Sequence, residues 1–384
     1  MEKRSLTDGS LIWEQTNNPS SGYDYASDIA IDGSGIYVAG YDYVPGNGQW
    51  RMEKRSLTDG SLIWEQTNNP SSGTDRVYGV AVDSSGVYVV GYDYVPGNYQ
   101  WRMEKRSLTD GSLIWEQTNN PSSGTDRARG VAVDGSGVYV VGDDRSLGLG
   151  QWRMEKRSLT DGSLIWEQIN DLSGSLDSAI GAAVDGSGVY VVGFDRITGG
   201  DQWRMEKRSL TDGSLIWEQT SNPSSSTDVA MGAAVDGSGV YVVGYDRITG
   251  NYQWRMEKRS LTDGSLIWEQ NSNPSSSYDS AIGAAVDGSG IYVAGYDYAP
   301  GNSQWRIEKR STSPDNNYID IGLRIYDGAQ TVSISCEPLG TLTSPLRMSK
   351  GGNTYGVALV DVTDPNASKI RINASSGIKA LRKQ

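Results

Sequence analysis

The chain has 384 residues, no histidine, one cysteine and a formal net charge of −13. Without histidine, Ser-His-Asp and Cys-His catalysis and histidine-based zinc sites are excluded, and the lone Cys336 rules out an intrachain disulfide. The acidic balance disfavours nucleic acid and anionic membranes as partners, and no apolar run reaches the length of a membrane span.

The chain opens with "MEKRSLTDGSLIWEQ" at Met1. The same fifteen letters return at Met52, Met103, Met154, Met205 and Met256, and a seventh start, "IEKRST", stands at Ile307. A period of 51 residues overrides a domain count based on length. Because Met1 aligns with Met52, it is read as the repeat's own methionine. The absence of a visible signal peptide therefore carries little weight, and processing from a longer precursor is an open expectation.

The second repeat serves as the type. "RVYGVAVD" (Arg76 to Asp83), apolar with small residues, predicts an innermost strand. "SSG" is a turn, and "VYVVGYDY" (Val87 to Tyr94), β-branched and aromatic, predicts the second strand. After the loop "VPGNY", "QWRMEKRSL" (Gln100 to Leu108) predicts the third. "TDG" turns the chain into "SLIWEQ" (Ser112 to Gln117), the fourth. "TNNPSSG" reads as the connection to the next unit. Four antiparallel strands per 51 residues, without helical periodicity, predict an all-β propeller of four-stranded blades. The two Trp of each repeat, such as Trp101 and Trp115, are expected to fill the space between blades. Arg102, Glu104 and Arg106 alternate along the third strand and are read as a solvated outer edge, with Glu116 as cross-strand partner.

Six pairs of first and second strands, near 26–43, 77–94, 128–145, 179–196, 230–247 and 281–298, predict six blades. The N-terminal "SLIWEQ" is expected to supply the outer strand missing from the sixth and so latch the ring. The alternative is a seventh blade, its inner strands formed by "IGLRIYDGAQTVSIS" (Ile321 to Ser335) and completed by Met1 to Gln15. The propeller is assigned to residues 1–312. Residues 313–384 are assigned to a small β-domain with strands at Ile319–Tyr326, Thr331–Cys336, Leu346–Ser349, Thr354–Val362 and Lys369–Asn373. "KGGN" (Lys350 to Asn353) reads as a hairpin turn, and Asn366 and Asn373 lie in N-x-S sequons. Docking on a partner, attachment or capping is the role expected of this tail.

The stretch "DVAMGAAVDGSGVYVVGYDRITGNYQWRMEKRSLTDGSLIWEQ" (Asp228 to Gln270) resembles bacterial and archaeal β-propeller repeats of the seven-bladed or quinoprotein-like kind. The shared features are the "G-x-A-V-D-x-S-G-x-Y-V-x-G" core and "L-x-D-G-S-L-I-W", over about Tyr23 to Thr312. The resemblance implies a propeller fold and an extracellular or cell-surface location.

One carboxylate recurs where each first strand begins: Asp24, Asp75, Asp126, Asp177, Asp228 and Asp279. Such a ring at the channel mouth would suit a hard cation or a sugar, against the plainer reading of turn caps. A second set, Asp42, Asp93, Asp144, Asp195, Asp246 and Asp297, follows the second strands. The repeats differ chiefly in the loops "VPGNG", "VPGNY", "SLGLG", "ITGGD", "ITGNY" and "APGNS" and in the first-strand starts "YASDIAI", "RARGVAV" and "SAIGAAV". All fall on one face, whose expected contact residues are Tyr43, Tyr94, Tyr99, Arg196, Arg247, Tyr252 and Tyr298. Near-identical blades repeat one environment, whereas catalysis needs different residues in different roles at one spot. The sequence therefore predicts no enzymatic activity and no cofactor, with Ca2+ at the Asp ring as the single candidate. It predicts a structural or interaction propeller with a protein partner, or a homo-oligomer or filament assembled through the tail or terminal strands. The alternative is a lectin-like propeller that binds carbohydrate or a cation.

Overall fold

The computed structural model describes residues 1–312, apart from 45–46, 146–149, 171–173, 198–199, 225, 249, 274, 276 and 299–301. Beyond them it describes only the strands Arg324–Asp327, Gln330–Ser333, Leu346–Lys350 and Asn353–Val357. Every regular element among the described residues is a strand. The chain divides into two units, Met1–Arg310 and Ser311–Gln384.

The first unit is a propeller. Each blade is an antiparallel meander, and the second one runs Arg76–Asp83, Gly86–Val95, Asn98–Arg106 and Leu113–Asn119. Blades one to five have four strands. The sixth has three, Ser280–Asp287, Gly290–Asp297 and Gln304–Arg310. The first two strands close on an Asp-Gly pair three residues apart, Asp83↔Gly86 in the second blade. The Asp83 carboxylate accepts the Ser85 and Gly86 amides at 2.7 and 3.0 Å, which fixes this turn. The "TDG" turn needs its glycine for two reasons. Gly111 lies at φ +72°, and a β-carbon there would come within 2.8 Å of Trp64 of the preceding blade.

Blades pack face to face through five repeating clusters. In one of them Tyr88, Val90, Trp101, Met103 and Trp115 of the second blade meet Ala128, Val138 and Val140 of the third. Burying these flat aromatic and β-branched faces is the main favourable term of the fold. In the five four-stranded blades both Trp do fill the interblade space, whereas Trp305 of the sixth is exposed. The indole N–H of Trp101 donates to the Asp143 carbonyl of the next blade at 3.1 Å, and Trp50, Trp152, Trp203 and Trp254 repeat the bond.

The third strand corrects the expectation of a solvated edge. Arg102, Glu104 and Arg106 are buried, with Glu104 0% exposed. Glu104 accepts Arg102 Nε at 2.8 Å, Arg106 Nε at 2.8 Å and Asn68 Nδ2 of the preceding blade at 2.7 Å, while Trp50 of that blade lies 5.8 Å from the Arg102 guanidinium. The charges are tolerated inside because each is paired and hydrogen-bonded.

The expected latch is not formed. Leu11–Glu14 pairs only with Glu2–Arg4, as a separate two-stranded sheet. A relay of lysines shows where that pair sits. Lys54, Lys105, Lys156 and Lys207 each donate to the leucine carbonyl of the following blade, as Lys105 does to Leu159 at 2.8 Å. Lys309 of the sixth blade donates to Leu6 at 3.1 Å, and Lys3 donates to Leu57 of the first at 2.8 Å. The N-terminal pair thus holds its own place in the ring, between the sixth and first blades.

The second unit contributes two hairpins. Arg324–Asp327 pairs with Gln330–Ser333, and Leu346–Lys350 pairs with Asn353–Val357. The expected strand at Lys369–Asn373, the sequons and Cys336 lie outside the described residues.

Candidate functional site

The ends of the second strands, the starts of the third and the starts of the first share one face of the ring, because the strands alternate in direction. The recurrent carboxylates at the first-strand starts hold this face together from within. Asp75, Asp126, Asp177, Asp228 and Asp279 are all 0% exposed. Asp75 Oδ1 accepts the Ser71 hydroxyl at 2.6 Å and the Tyr94 amide at 2.9 Å, and its own amide donates to Gly48 of the preceding blade. Asp126, Asp228 and Asp279 repeat the serine bond; so does Asp24, which is part-buried. Asp177 accepts the Arg196 amide at 2.9 Å. The second set is also buried, and Asp93 accepts Arg102 at 3.3 Å.

The loop residues singled out in the sequence spread around the rim. Tyr94 packs on Tyr99, ring centroids 5.4 Å apart. Arg247 lies 5.7 Å from the Tyr252 ring, and Arg196 pairs with Asp201 at 2.6 Å. Tyr298 is exposed, and its amide donates to Asp279. Tyr43 is half-buried, and hydrogen bonds with Thr74 and Arg76 hold its hydroxyl below the ordinary value.

A contiguous cluster instead forms nearer the axis, on blades one to three. Tyr25 stacks on Tyr41 at 5.0 Å, and the Arg76 guanidinium lies 4.9 Å above Tyr41. Tyr78 meets Tyr92 at 5.6 Å, and Arg129 lies 5.7 Å from Tyr78. Arg129 pairs with Asp143, which also accepts the Ser178 hydroxyl at 3.1 Å. Burial pushes the Tyr41 and Tyr92 hydroxyls up, so both stay protonated donors near neutrality. The equivalent first-strand positions differ around the ring: Tyr25, Arg76 and Arg127 in blades one to three, against Ser178, Val229 and Ser280; and Ser27, Tyr78 and Arg129, against Ile180, Met231 and Ile282. At these first-strand positions the face is therefore cationic and aromatic on one arc and uncharged on the other, in a chain whose net charge is −13. Sequence reasoning flagged the variable first-strand starts but named only loop residues. The signal available was the arginine pattern "RVY" and "RAR", found in just two repeats.

A sequence family described as outer membrane protein assembly factor BamB matches residues 153–336, a little under half the chain. A search of curated proteins found no match. Among solved structures, the chain is similar to the quinohemoprotein alcohol dehydrogenase ADHIIG of Pseudomonas putida HK5, with 11% identity and TM-score 0.43, over 72% of this chain and 52% of that one. It is similar to a europium-containing methanol dehydrogenase, with 10% identity and TM-score 0.41, over 88% and 76%. A third is a subtype N10 neuraminidase-like protein from a little yellow-shouldered bat isolate, with 8% identity and TM-score 0.44, over 74% and 93%. The chain spans about half the length of the alcohol dehydrogenase.

These findings correct two expectations. The solved structures similar to this chain include an alcohol dehydrogenase and a europium-containing methanol dehydrogenase, so the expected absence of enzymatic activity and of any cofactor does not stand. Among the described residues no three carboxylate or thiol side chains converge as a donor set for a metal ion. No helix among them is long and apolar enough to cross a membrane. The repeats and their four-stranded blades together identify a β-propeller repeat protein.

Proposed function

We propose that this propeller is an interaction module whose Arg–Tyr arc binds an acidic segment of a protein partner. The observation that supports it is the gathering of Arg76, Arg127 and Arg129 with Tyr41, Tyr78 and Tyr92 on one arc, while the same positions elsewhere carry no charge. Arginine backed by tyrosine recognises carboxylates while remaining partly desolvated, a combination enriched at protein interfaces. An acidic carbohydrate is the second reading, favoured by the exposed Tyr25 stacked on Tyr41, a surface suited to a sugar ring. An extracytoplasmic or cell-surface location fits the outer-membrane description of the matching family. Assembly into oligomers through the tail or terminal strands also belongs to this reading.

Calorimetry with an oligoglutamate peptide and with an oligogalacturonate, on the whole chain, tests the two readings. Binding that weakens about tenfold or more in Arg76→Gln and Arg129→Gln, and weakens with salt, supports the arc. Binding unchanged in these variants, but lost in Arg196→Gln or Arg247→Gln, would move the site to the rim.

A further inference from the structure

Near the end of the second strand, five blades carry an aromatic residue at one equivalent place, Tyr41, Tyr92, Phe194, Tyr245 and Tyr296, and the third blade carries Asp143. Asp143 is 1% exposed. Its Oδ1 accepts Arg129 Nε and, at 3.1 Å, the Ser178 hydroxyl of the next blade. Its Oδ2 has no hydrogen-bond partner among the described residues, and Arg145 Nε, 3.9 Å away, has none either. A buried carboxylate oxygen left in this state is costly. Packing does not require it, since the equivalent pair between the fifth and sixth blades is Tyr245 and Ser280. The consequence falls on Arg129. Asp143 holds it by Nε, and the Tyr78 ring lies 5.7 Å from the guanidinium. Its two Nη groups make no hydrogen bond among the described residues, and the side chain is 25% exposed. Arg127, paired opposite Asp143 across the first hairpin, adds a second cation beside it.

We propose that Asp143 is the specificity-determining residue of the Arg–Tyr arc: it fixes Arg129 as a fork for a planar carboxylate and turns away phosphate dianions. The inference rests on the reading of the arc as an anion-binding surface. Held by its Nε edge, the guanidinium presents its Nη1–Nη2 edge, which matches the two oxygens of a carboxylate in one plane. The side-chain freedom that a loose arginine gives up on binding is already given up here, so the ligand does not have to supply that cost. A phosphate also offers the fork two oxygens. It brings a second negative charge toward Asp143, however, whose Oδ2 no donor among the described residues masks. Asp143 thus adds the repulsive element that separates two anions which arginine alone binds alike. The tyrosine found at this place in four other blades does neither task, since it carries no charge and no carboxylate to hold Arg129.

The test is calorimetry on the whole chain, at one ionic strength, with two peptides of equal length. One carries glutamates spaced by glycine, and the other carries phosphoserines in their place. The parent should bind the glutamate peptide at least about tenfold more tightly than the phosphoserine peptide. Asp143→Asn, nearly isosteric, should bring the two affinities within about threefold of each other, chiefly because the phosphoserine peptide gains. Asp143→Tyr, whose side chain the equivalent pair Tyr245 and Ser280 already accommodates, should also weaken the glutamate peptide by about fivefold or more, because Arg129 is released. The proposal is overturned if the parent shows no preference, or if the preference survives in Asp143→Asn. It is equally overturned if Asp143→Tyr tightens the glutamate peptide, which would make Asp143 only a brake on anion binding. Glutamate binding that Arg76→Gln and Arg129→Gln weaken, with a preference that both Asp143 variants leave unmoved, would overturn this inference and leave the arc in place. A parent that binds neither peptide would overturn both.

Discussion

Glu155 offers the sharpest test of the buried charge ladder. It is 0% exposed and accepts Arg153 Nε at 2.8 Å, Arg157 Nε at 2.8 Å and Asn119 Nδ2 of the preceding blade at 2.6 Å. Arg153 keeps Asp144 and Glu167 as partners when Glu155 is neutralised, but among the described residues Arg157 keeps only the Gly162 carbonyl, at 3.2 Å. Glu155→Gln is nearly isosteric, yet it leaves Arg157 buried without a counter-charge and turns an amide N–H₂ toward an arginine. Breaking a buried pair in this way costs about 3–5 kcal/mol. Glu167 pairs with the same Arg153 from a side chain 43% exposed, so Glu167→Gln should cost under about 1 kcal/mol. Thermal and urea unfolding followed by tryptophan fluorescence should place Glu155→Gln well below both Glu167→Gln and the parent. Equal, small losses in the two variants would refute the claim that the third-strand charges are interior and mutually dependent.

Three further outcomes follow from the same structure. Trp101→Ala should cost about 3–5 kcal/mol by opening a cavity between blades, whereas Trp305→Ala should lie within about 0.5 kcal/mol, both read from unfolding midpoints. Gly111→Ala, at φ +72° and against Trp64, should destabilise by about 1–2 kcal/mol or more, while alanine at Gly135, which faces open space, should be near neutral. Asp28 stands where the other five blades have glycine, and burial pushes its carboxyl up to about 6, against hydrogen bonds from the Val80 and Ile29 amides. Its folded pKa lies above its unfolded one, so the native state holds the proton longer. Stability should therefore fall as pH rises from about 3.8 to about 6, by up to about 3 kcal/mol, and Asp28→Gly should flatten that slope in pH-dependent unfolding.

The blade was legible because its local signals agree. The expected first strand, Arg76 to Asp83, is the strand observed, and the second, expected at Val87 to Tyr94, runs Gly86–Val95. The third strand, expected at Gln100 to Leu108, runs Asn98–Arg106 and is buried where a solvated edge is expected. "RMEKR" reads as surface by composition. What hides it is the preceding blade, whose Trp50 and Asn68 cap Arg102 and Glu104 from 52 and 36 residues upstream. That partner belongs to another repeat, so no window within one repeat reveals it. The N-terminal strands misled for a related reason. "SLIWEQ" at Ser10 has the same letters as its five copies, so sequence alone fits either an outer strand for the sixth blade or a separate pair. Only the bonds Lys309 to Leu6 and Lys3 to Leu57 distinguish them.

Those interblade bonds also explain where the repeats are free to differ. Residues of "QWRMEKR" and "LIWEQ" answer to two blades at once: Gln66 donates to the Asp110 carbonyl, Trp64 to Leu108, and Lys54 to Leu108. A change in any of them leaves a polar group unpaired in its own blade and a hole in the next. The first-strand starts also meet the preceding blade, but through pairs that differ from one blade to the next, such as Arg76 on Tyr41 and Ser178 on Asp143. Position 25 and its equivalents accept Tyr, Arg, Ser or Val, and position 27 and its equivalents accept Ser, Tyr, Arg, Ile or Met. An array locked in its outer strands acquires a distinctive surface there and in the loops after the second strands. The Arg–Tyr arc occupies these positions, so its asymmetry is the part of the molecule that packing does not dictate.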